Sequence, residues 1–378
     1  MSEPNPVRAR NTAVVLGLLR AHRTMSRTEL ARRCGLSLPT VMEIVEQLLA
    51  DGYVRAAGSG PATGGRPSRL YEFDPSGRFA IGVSLGTHTA SAVLTDLDAA
   101  VVDEASEPSE LLVGPDATVA QTRRLIDRVL PAPRRDRIQG IGLGVAALVL
   151  DSEDRALRPH ADWPAVPLRS LIAQHYGLGA EIENYAKAVS VGEHRFGAGR
   201  GRRNMLCVVL QDGVGAGLIS DGELYRGDDG AAGRFGATLV HLPGRPRVPL
   251  DEVAGAAGIE ALANARTPGR KWRAAEVFAA AEAGDPTARA VVGEVGAALA
   301  EAVYNAVVLA APDLVVLSGN VASAGGALLA DPVRDLLTRA HTRGRTPSVV
   351  PGTLGEQAGA IGAAALLLQN TFVDPVVL

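Results

Sequence analysis

The chain has 378 residues, 47% of them hydrophobic, and its 38 Lys and Arg against 41 Asp and Glu leave a formal net charge of −3. That length holds two or three domains with cores of their own, and two cysteines far apart in apolar runs, Cys34 and Cys207, exclude a disulfide scaffold. The polar opening 1–10 is unlike a signal peptide, and apolar stretches such as 138–150 and 360–368 are too short for a bilayer, so a soluble, cytoplasmic protein without membrane contact is expected.

The first predicted elements form a helix-turn-helix. Ser26-Arg27-Thr28-Glu29 has the Ser-x-x-Glu form of a capping box and opens a short helix through Cys34, which Gly35 breaks. Ser37 can cap a second helix through Ala50, with Val41, Ile44, Val45 and Leu48 on one face. Pro39, Thr40, Glu43, Glu46 and Gln47 fall on the opposite face, free to enter a major groove. Residues 53–55 and 70–73 read as short strands joined by a wing containing Gly64-Gly65-Arg66-Pro67. Glycines there let the backbone approach DNA, and Arg66 suits a minor groove of strong negative potential. Arg32, Arg33, Arg55 and Arg69 are candidate phosphate anchors, which position a protein without reading sequence.

The DNA-facing set is Arg27, Ser37, Pro39, Thr40, Met42, Glu43, Gln47, Gly65, Arg66 and Arg69, within a unit spanning 1–75. Glu43 is either a cytosine contact or a charge solvating an exposed face. Residues 1–75 carry ten Arg against seven Asp and Glu, a net of +3, so the other 303 residues carry −6. A basic head on an acidic body suits a DNA reader attached to a metabolite sensor. A generic helical hairpin packed on its own protein is the alternative, and the wing counts against it.

Past a boundary at Pro75-Ser76-Gly77, residues 79–85, 89–95 and 101–106 read as a meander of three strands. A helix over 117–130, a strand over 138–149, a helix over 167–176, a short strand at 180–182 and a helix over 186–196 follow. The pattern then repeats: a strand over 205–210, the glycine-rich turn 213–217 into a second strand, and a hairpin at Asp221-Gly222. Ala-rich helices fill the last third around a strand at 314–317. Two α/β lobes with a cleft between them are expected.

These segments, taken together, resemble the ROK family of repressors, open reading frames and kinases over almost the whole chain. Residues 26–67 resemble its winged helix, 81–87 its first phosphate loop, 182–188 its Glu-Asn-Asp-x-Asn-Ala segment, and 317–321 its adenosine-side loop. Residues 210–236 follow the family signature, with Gly213, Gly215, Gly217, Gly227, Gly233 and Gly236 in order. The resemblance implies an α/β architecture: a winged helix-turn-helix followed by a two-lobed, actin-like sugar-kinase fold, with lobes at 76–185 and 186–378.

The departures from the family pattern bear on mechanism. Where family kinases carry the general-base Asp, this chain has Tyr185, and a phenol of pKa near 10 cannot replace a carboxylate base at neutral pH. Ser84 and Thr87 stand at the phosphate loop's Asp and second Gly, so weakened phosphate positioning is expected as well. The body reads as a non-catalytic descendant of a kinase, not an enzyme. No ATP is expected, since a hairpin turn alone explains the glycines at 213–217. The family's Cys-rich zinc segment matches 241–250, which has no cysteine, and His241 alone cannot hold a structural zinc.

By the same resemblance the effector-binding set is Asn184, Tyr185, Lys187, Arg234, Asp251 and His160. Arg234 replaces a sugar-binding Glu, Ala237 a His, and Lys187 an Asn, and the two added cations favour a carboxylate or phosphate. One expectation is therefore an anionic effector, such as a sugar phosphate or sugar acid. The other is that Arg234 and Lys187 pair with Glu183, Asp212 or Asp251 in a closed cleft. Three functions stay in view: an effector-controlled regulator, most simply a repressor, binding operator DNA as a dimer or dimer of dimers on the nucleoid; a regulator whose body only dimerises; and a sugar kinase with an added head.

Overall fold

A computed structural model describes residues 6–59, 68–130, 132–150, 155–157, 166–242, 244, 246–340 and 346–368. The head begins with α1 (Pro6–His22), a helix the sequence reading passed over, then β1 (Thr24–Ser26), α2 (Arg27–Cys34), α3 (Leu38–Ala50), β2 (Val54–Ser59) and β3 (Arg69–Phe73). Ser26 Oγ accepts from Glu29 N at 3.2 Å, as expected of a cap. The reciprocal half of the capping box is replaced, because Glu29 turns to Arg32 and Arg33 instead. Gly35 ends α2 in the left-handed conformation, and Ser37 caps α3 by accepting from Thr40 N. Val41, Ile44, Val45 and Leu48 are buried, as predicted, against Val15, Leu16 and Leu19 of α1. The three strands order β1-β3-β2, so the head has one strand more than expected. The wing tip, with Gly65 and Arg66, lies outside the described residues.

The first lobe contains β4 (Phe79–Leu85), β5 (Thr89–Asp96), β6 (Val101–Pro108), α4 (Pro115–Val129), β7 (Ile138–Val145), β8 (Leu148–Leu150), β9 (Arg155–Leu157), α5 (Leu168–Tyr176) and β10 (Ala180–Asn184). Its sheet runs β10-β7-β4-β5-β6, with the meander antiparallel and β7 and β10 added in parallel. The expected strand over 138–149 is split by a turn into β7 and β8. In the second lobe come α6 (Tyr185–Phe196), β11 (Met205–Leu210), β12 (Val214–Ser220), β13 (Glu223–Tyr225), β14 (Leu239–Val240) and β15 (Val248–Pro249). After them lie α7 (Asp251–Ala254), α8 (Ala256–Arg266), α9 (Ala274–Glu282), α10 (Pro286–Ala310), β16 (Leu314–Ser318), α11 (Asn320–Ala340), β17 (Ser348–Pro351) and α12 (Ala358–Leu368). The sheet β13-β12-β11-β16-β17 repeats the first one's plan: an antiparallel meander, then two parallel strands. Asp221 (φ 51) and Gly222 (φ 85) make the hairpin between β12 and β13, both left-handed as a type I′ turn requires.

The helix after each sheet packs on the other sheet. Helix α6 follows β10 yet lies on β11 and β12, and α12 follows β17 yet lies on β4 and β7. The C-terminal helix, placed by sequence in the second lobe, therefore covers the first lobe's sheet. Small residues make the approach possible. A Cβ on Gly82 would fall 1.9 Å from Ala360 O, one on Gly142 1.8 Å from Ala363 O, and one on Gly362 1.9 Å from Ala188 O. Buried Glu193 of α6 accepts from Thr353 N and Leu354 N, tying α6 to the loop that leads into α12. Helix α10 is long and apolar enough by composition to cross a membrane, but Val291, Val295, Leu299 and Val303 are buried in the second lobe's core.

The head is docked rather than tethered. Leu97 from the β5–β6 turn and Leu368 at the end of α12 are buried in the head's own core, with Phe196 packed against it. Arg78 donates to Asp51 O at 2.5 Å, Tyr53 bonds Gln139, and Arg137 donates to the carbonyls of Ser76 and Gly77. A Cβ on Gly77 would lie 1.7 Å from Gly52 O. Gly77→Ala should therefore force the head off the body, destabilising the chain by about 1–3 kcal/mol. Thermal unfolding with limited proteolysis around 74–78 checks this, and an unchanged Tm and cleavage pattern would contradict the docking.

Candidate functional site

The head presents one exposed face of α3. Pro39, Met42, Glu43, Glu46 and Gln47 are exposed, Ser37 is exposed at the cap and Thr40 is half-buried. Leu38 and Met42, 43% and 39% exposed, are apolar residues on an otherwise polar face. Leu38 was not singled out by sequence, because only its exposure distinguishes it from the core leucines. Gln47 Nε2 donates to Asp51 Oδ2 at 3.0 Å, and Thr40 and Ser37 share a hydroxyl hydrogen bond of 2.8 Å. Arg27 lies against the face of Tyr71 with an ion pair to Glu46 at 3.4 Å, and Arg69 approaches the same ring. Three of the four expected phosphate anchors already have carboxylate partners. Arg32 and Arg33 pair with Glu29, holding its carboxyl down at about 2, and Arg55 pairs with Glu72 at 2.6 Å. Such exposed pairs contribute little to stability and can open to a phosphate.

Between the lobes lies a cavity of about 320 Å³, lined by Asn184, Tyr185 and Lys187 from α6 and its cap, by the 211–215 turn, and by Arg234 and Asp251. A second void of about 360 Å³ adjoins it beside Ser84, Gly86, Ser318 and Gly319, and Thr87, Tyr185, Gln211 and Asp212 line both. Five of the six expected effector residues, Asn184, Tyr185, Lys187, Arg234 and Asp251, thus meet in one place, while His160 lies outside the described residues. Asn184 is spent on structure: its Oδ1 caps α6 and its Nδ2 donates to Ala147 O. Asp251 Oδ1 accepts from Val214 N at 2.5 Å and its carboxyl sits over Gly236, where a Cβ would fall 2.0 Å away. That leaves Oδ2 for another partner.

Lys187 follows the second expectation, pairing with Glu183, and not the anionic one. Only 2% exposed, its ammonium donates to Gly230 O and lies 3.5 Å from Glu183 Oε1, itself buried. Arg226, which sequence reasoning missed, completes the group at 3.0 Å from Glu183 Oε2. The Glu183–Lys187 spacing of four was the readable signal. Lys187 is therefore held to a buried carboxylate, with its ammonium turned to Glu183 and the Gly230 carbonyl. Arg234 is exposed on the cavity wall. Across the mouth, His88 Nε2 of the first lobe lies 2.7 Å from Asp212 Oδ1 of the second, a contact in loops that periodicity could not foresee.

Tyr185 stands between the two voids. Its phenol accepts from Gln211 Nε2 at 2.7 Å, its ring lies against Gly359, and burial pushes its pKa up to about 12. The phenol is thus neutral at physiological pH, able to give and accept hydrogen bonds. A residue with a folded pKa above its unfolded 10 contributes stability that is present below pH 10 and lost as pH rises toward 12. For metal, the residues present do not fit: 241–250 lacks cysteine, and among the described residues no three His, Cys, Asp or Glu gather. Burial pushes the Cys207 thiol up to about 12, away from the thiolate form a metal needs. An ultraviolet titration should lose one of its late-ionising tyrosines in Tyr185→Phe; a normal titration at that position would mean an open, solvated phenol.

Comparison with known proteins places this geometry. The ROK family profile matches residues 80–370, and a winged helix-turn-helix DNA-binding profile matches 14–55. The xylose repressor of Caldicellulosiruptor bescii is 27% identical over 397 residues, covering 97% of both chains. A glucokinase of Thermotoga maritima is 29% identical over 318 residues, covering 77% of this chain and 97% of the glucokinase. Among solved structures, a ROK family transcriptional regulator homologous to the E. coli MLC protein superposes with TM-score 0.83 at 20% identity, over 99% of this chain and 98% of the other.

Proposed function

The chain belongs to the ROK family and sets a winged helix-turn-helix before the family domain, so it is a DNA-binding transcriptional regulator; we propose that it is a repressor controlled by a small hydroxylated molecule bound between its lobes. The full-length match to xylose repressors supports repression. The exposed face of α3 supplies the base contacts, with Met42 and Leu38 suited to thymine methyl groups and Gln47 and Glu43 to base-edge hydrogen bonds. Arg27 and Arg69, with the arginines that open from their surface pairs, supply phosphate contacts. As a dimer, the protein would present two heads to half-sites one or two helical turns apart.

The observation that carries the control mechanism is α6. Its first residues line the cavity and its last, Phe196, packs against the head's core. Twelve residues of helix make a rod about 18 Å long, so a ligand that shifts its start also shifts the seat of the head. Coupling of this kind is reciprocal: effector and operator change each other's affinity by the same factor, and for a repressor released by its effector they oppose each other.

The cavity's size suits a monosaccharide-sized ligand. Asp251 Oδ2 and the Tyr185 phenol can hold hydroxyl groups, and Arg234 can hold one negative group, so a neutral sugar or a sugar acid fits better than a polyanion. Tyr185, at the position of the family's general base, stays protonated and cannot serve as one at neutral pH. The His88–Asp212 contact bridges the two lobes beside the second void. Neither ATP nor zinc is part of the proposed mechanism.

Fluorescence anisotropy with DNA upstream of the chain's own gene, at two salt concentrations, tests the proposal. Specific binding should weaken with one neutral or singly charged sugar, and Asp251→Ala should abolish that response while sparing DNA affinity. A ligand at 100 times its Kd should also add about 2.7 kcal/mol of stability. Specific DNA binding that no sugar or sugar acid alters would favour a body that only dimerises.

A further inference from the structure

A second cavity, of about 630 Å³, lies far from the inter-lobe site, at the seam where the head meets both lobes. Its walls come from the end of α1 (Arg20, Arg23), the strand pair β2–β3 (Arg55, Glu72), the β5–β6 turn (Asp98) and the end of α6 with its following turn (Phe196, Arg200). Two of the four guanidinium groups are neutralised. Arg20 pairs with Asp98 at 2.9 Å and lies over the Phe196 ring, and Arg55 pairs with Glu72 at 2.6 Å. Among the described residues, no carboxylate pairs with Arg23 or Arg200. Four cations against two anions leave an excess of two positive charges around one void, an arrangement whose self-repulsion an anion would relieve.

The backbone at Arg23 is strained. Helices α2 and α5 end in left-handed turns occupied by glycine, Gly35 at φ 68 and Gly177 at φ 66. Helix α1 gives way to the same conformation at Arg23, φ 62. Glycine takes that conformation without steric cost, whereas a residue with a Cβ is strained there. Ala99 and Ala311 take the same conformation, at φ 60 and 45, so the strain is not particular to Arg23; what it supplies is a probe, because glycine at position 23 would relieve it.

We propose that the seam is a second ligand site, binding a small molecule with at least two anionic groups, carboxylate or phosphate, held by Arg23 and Arg200 through forked guanidinium hydrogen bonds. Its walls belong to the head and both lobes, so an anion there stabilises the docked head over any displaced arrangement.

The test uses the full chain in thermal-shift titrations at constant ionic strength, with pyrophosphate and citrate as separate probes. At least one probe should raise Tm saturably in the wild type and equally in Arg234→Gln, whose change lies in the inter-lobe cavity. The phosphate and carboxylate arms identify which anionic group the site prefers. Arg23→Gly should fold as well as the wild type or better, because it relieves the strained turn, and should bind the probe at least tenfold more weakly. Arg200→Gln should weaken it similarly. A wild-type shift that does not saturate, or one retained in full by Arg23→Gly, would overturn the site. So would an unchanged anion response combined with a salt slope of DNA binding that falls by about 0.9 in each variant, since the arginines would then be contacts to the DNA backbone.

Discussion

Everything in this molecule hangs on how closely α6 and α12 can lie to each other and to the two sheets. Backbone-to-backbone approach at Gly82, Gly142 and Gly362 leaves no room for a single added carbon. Each helix leaves one lobe and settles on the other, so neither lobe can complete its core without its neighbour. Dispersion across such a contact is summed over many atom pairs at optimal distance, and a small gap forfeits much of it. The cleft and the head seat are fixed by this crossing, since one lies at the start of α6 and the other at its end.

The buried pair Glu183 and Lys187, joined at its edge by half-exposed Arg226, adds a constraint of another kind. A charge pair removed from water is seldom a net source of stability, because desolvation offsets its attraction. What it does impose is geometry, as losing one partner would leave an uncompensated charge in the core. Glu183 lies on the last strand of the first lobe, Lys187 in the first turn of α6, and Gly230 and Arg226 in the loop that closes the cavity. The group thus fastens the cavity's floor to its wall, beside the residues best placed to meet a ligand.

Much of this was legible in the sequence. The buried face of α3, both serine caps, the repeated meanders and the convergence of Asn184, Tyr185, Arg234 and Asp251 follow from periodicity, turn chemistry and family likeness. Helix α1 escaped because its apolar residues, Val14 to Leu19, run almost continuously. Being enclosed by α2, α3 and β3, it has no alternating pattern to read. The role of Lys187 stayed open between two readings for the opposite reason. Its spacing from Glu183 was visible, but whether an ammonium faces a carboxylate or a void depends on the third dimension. The seating of α12 on the distant lobe was equally hidden, since a helix of Gly, Ala and Leu fits any close surface.

The leucines that anchor the head, Leu97 and Leu368, belong to the body. A ROK domain that never carried a head has no reason to keep large apolar side chains at those two points, where they would face water. Joining a DNA-binding unit to a sugar kinase by gene fusion would therefore give only a tethered head, swinging on its linker. An inherited regulator needs matched apolar substitutions in a surface turn and in the last helical turn before the two parts move as one. Recombination can bring such modules together in a single event, but the seat between them has to be acquired residue by residue.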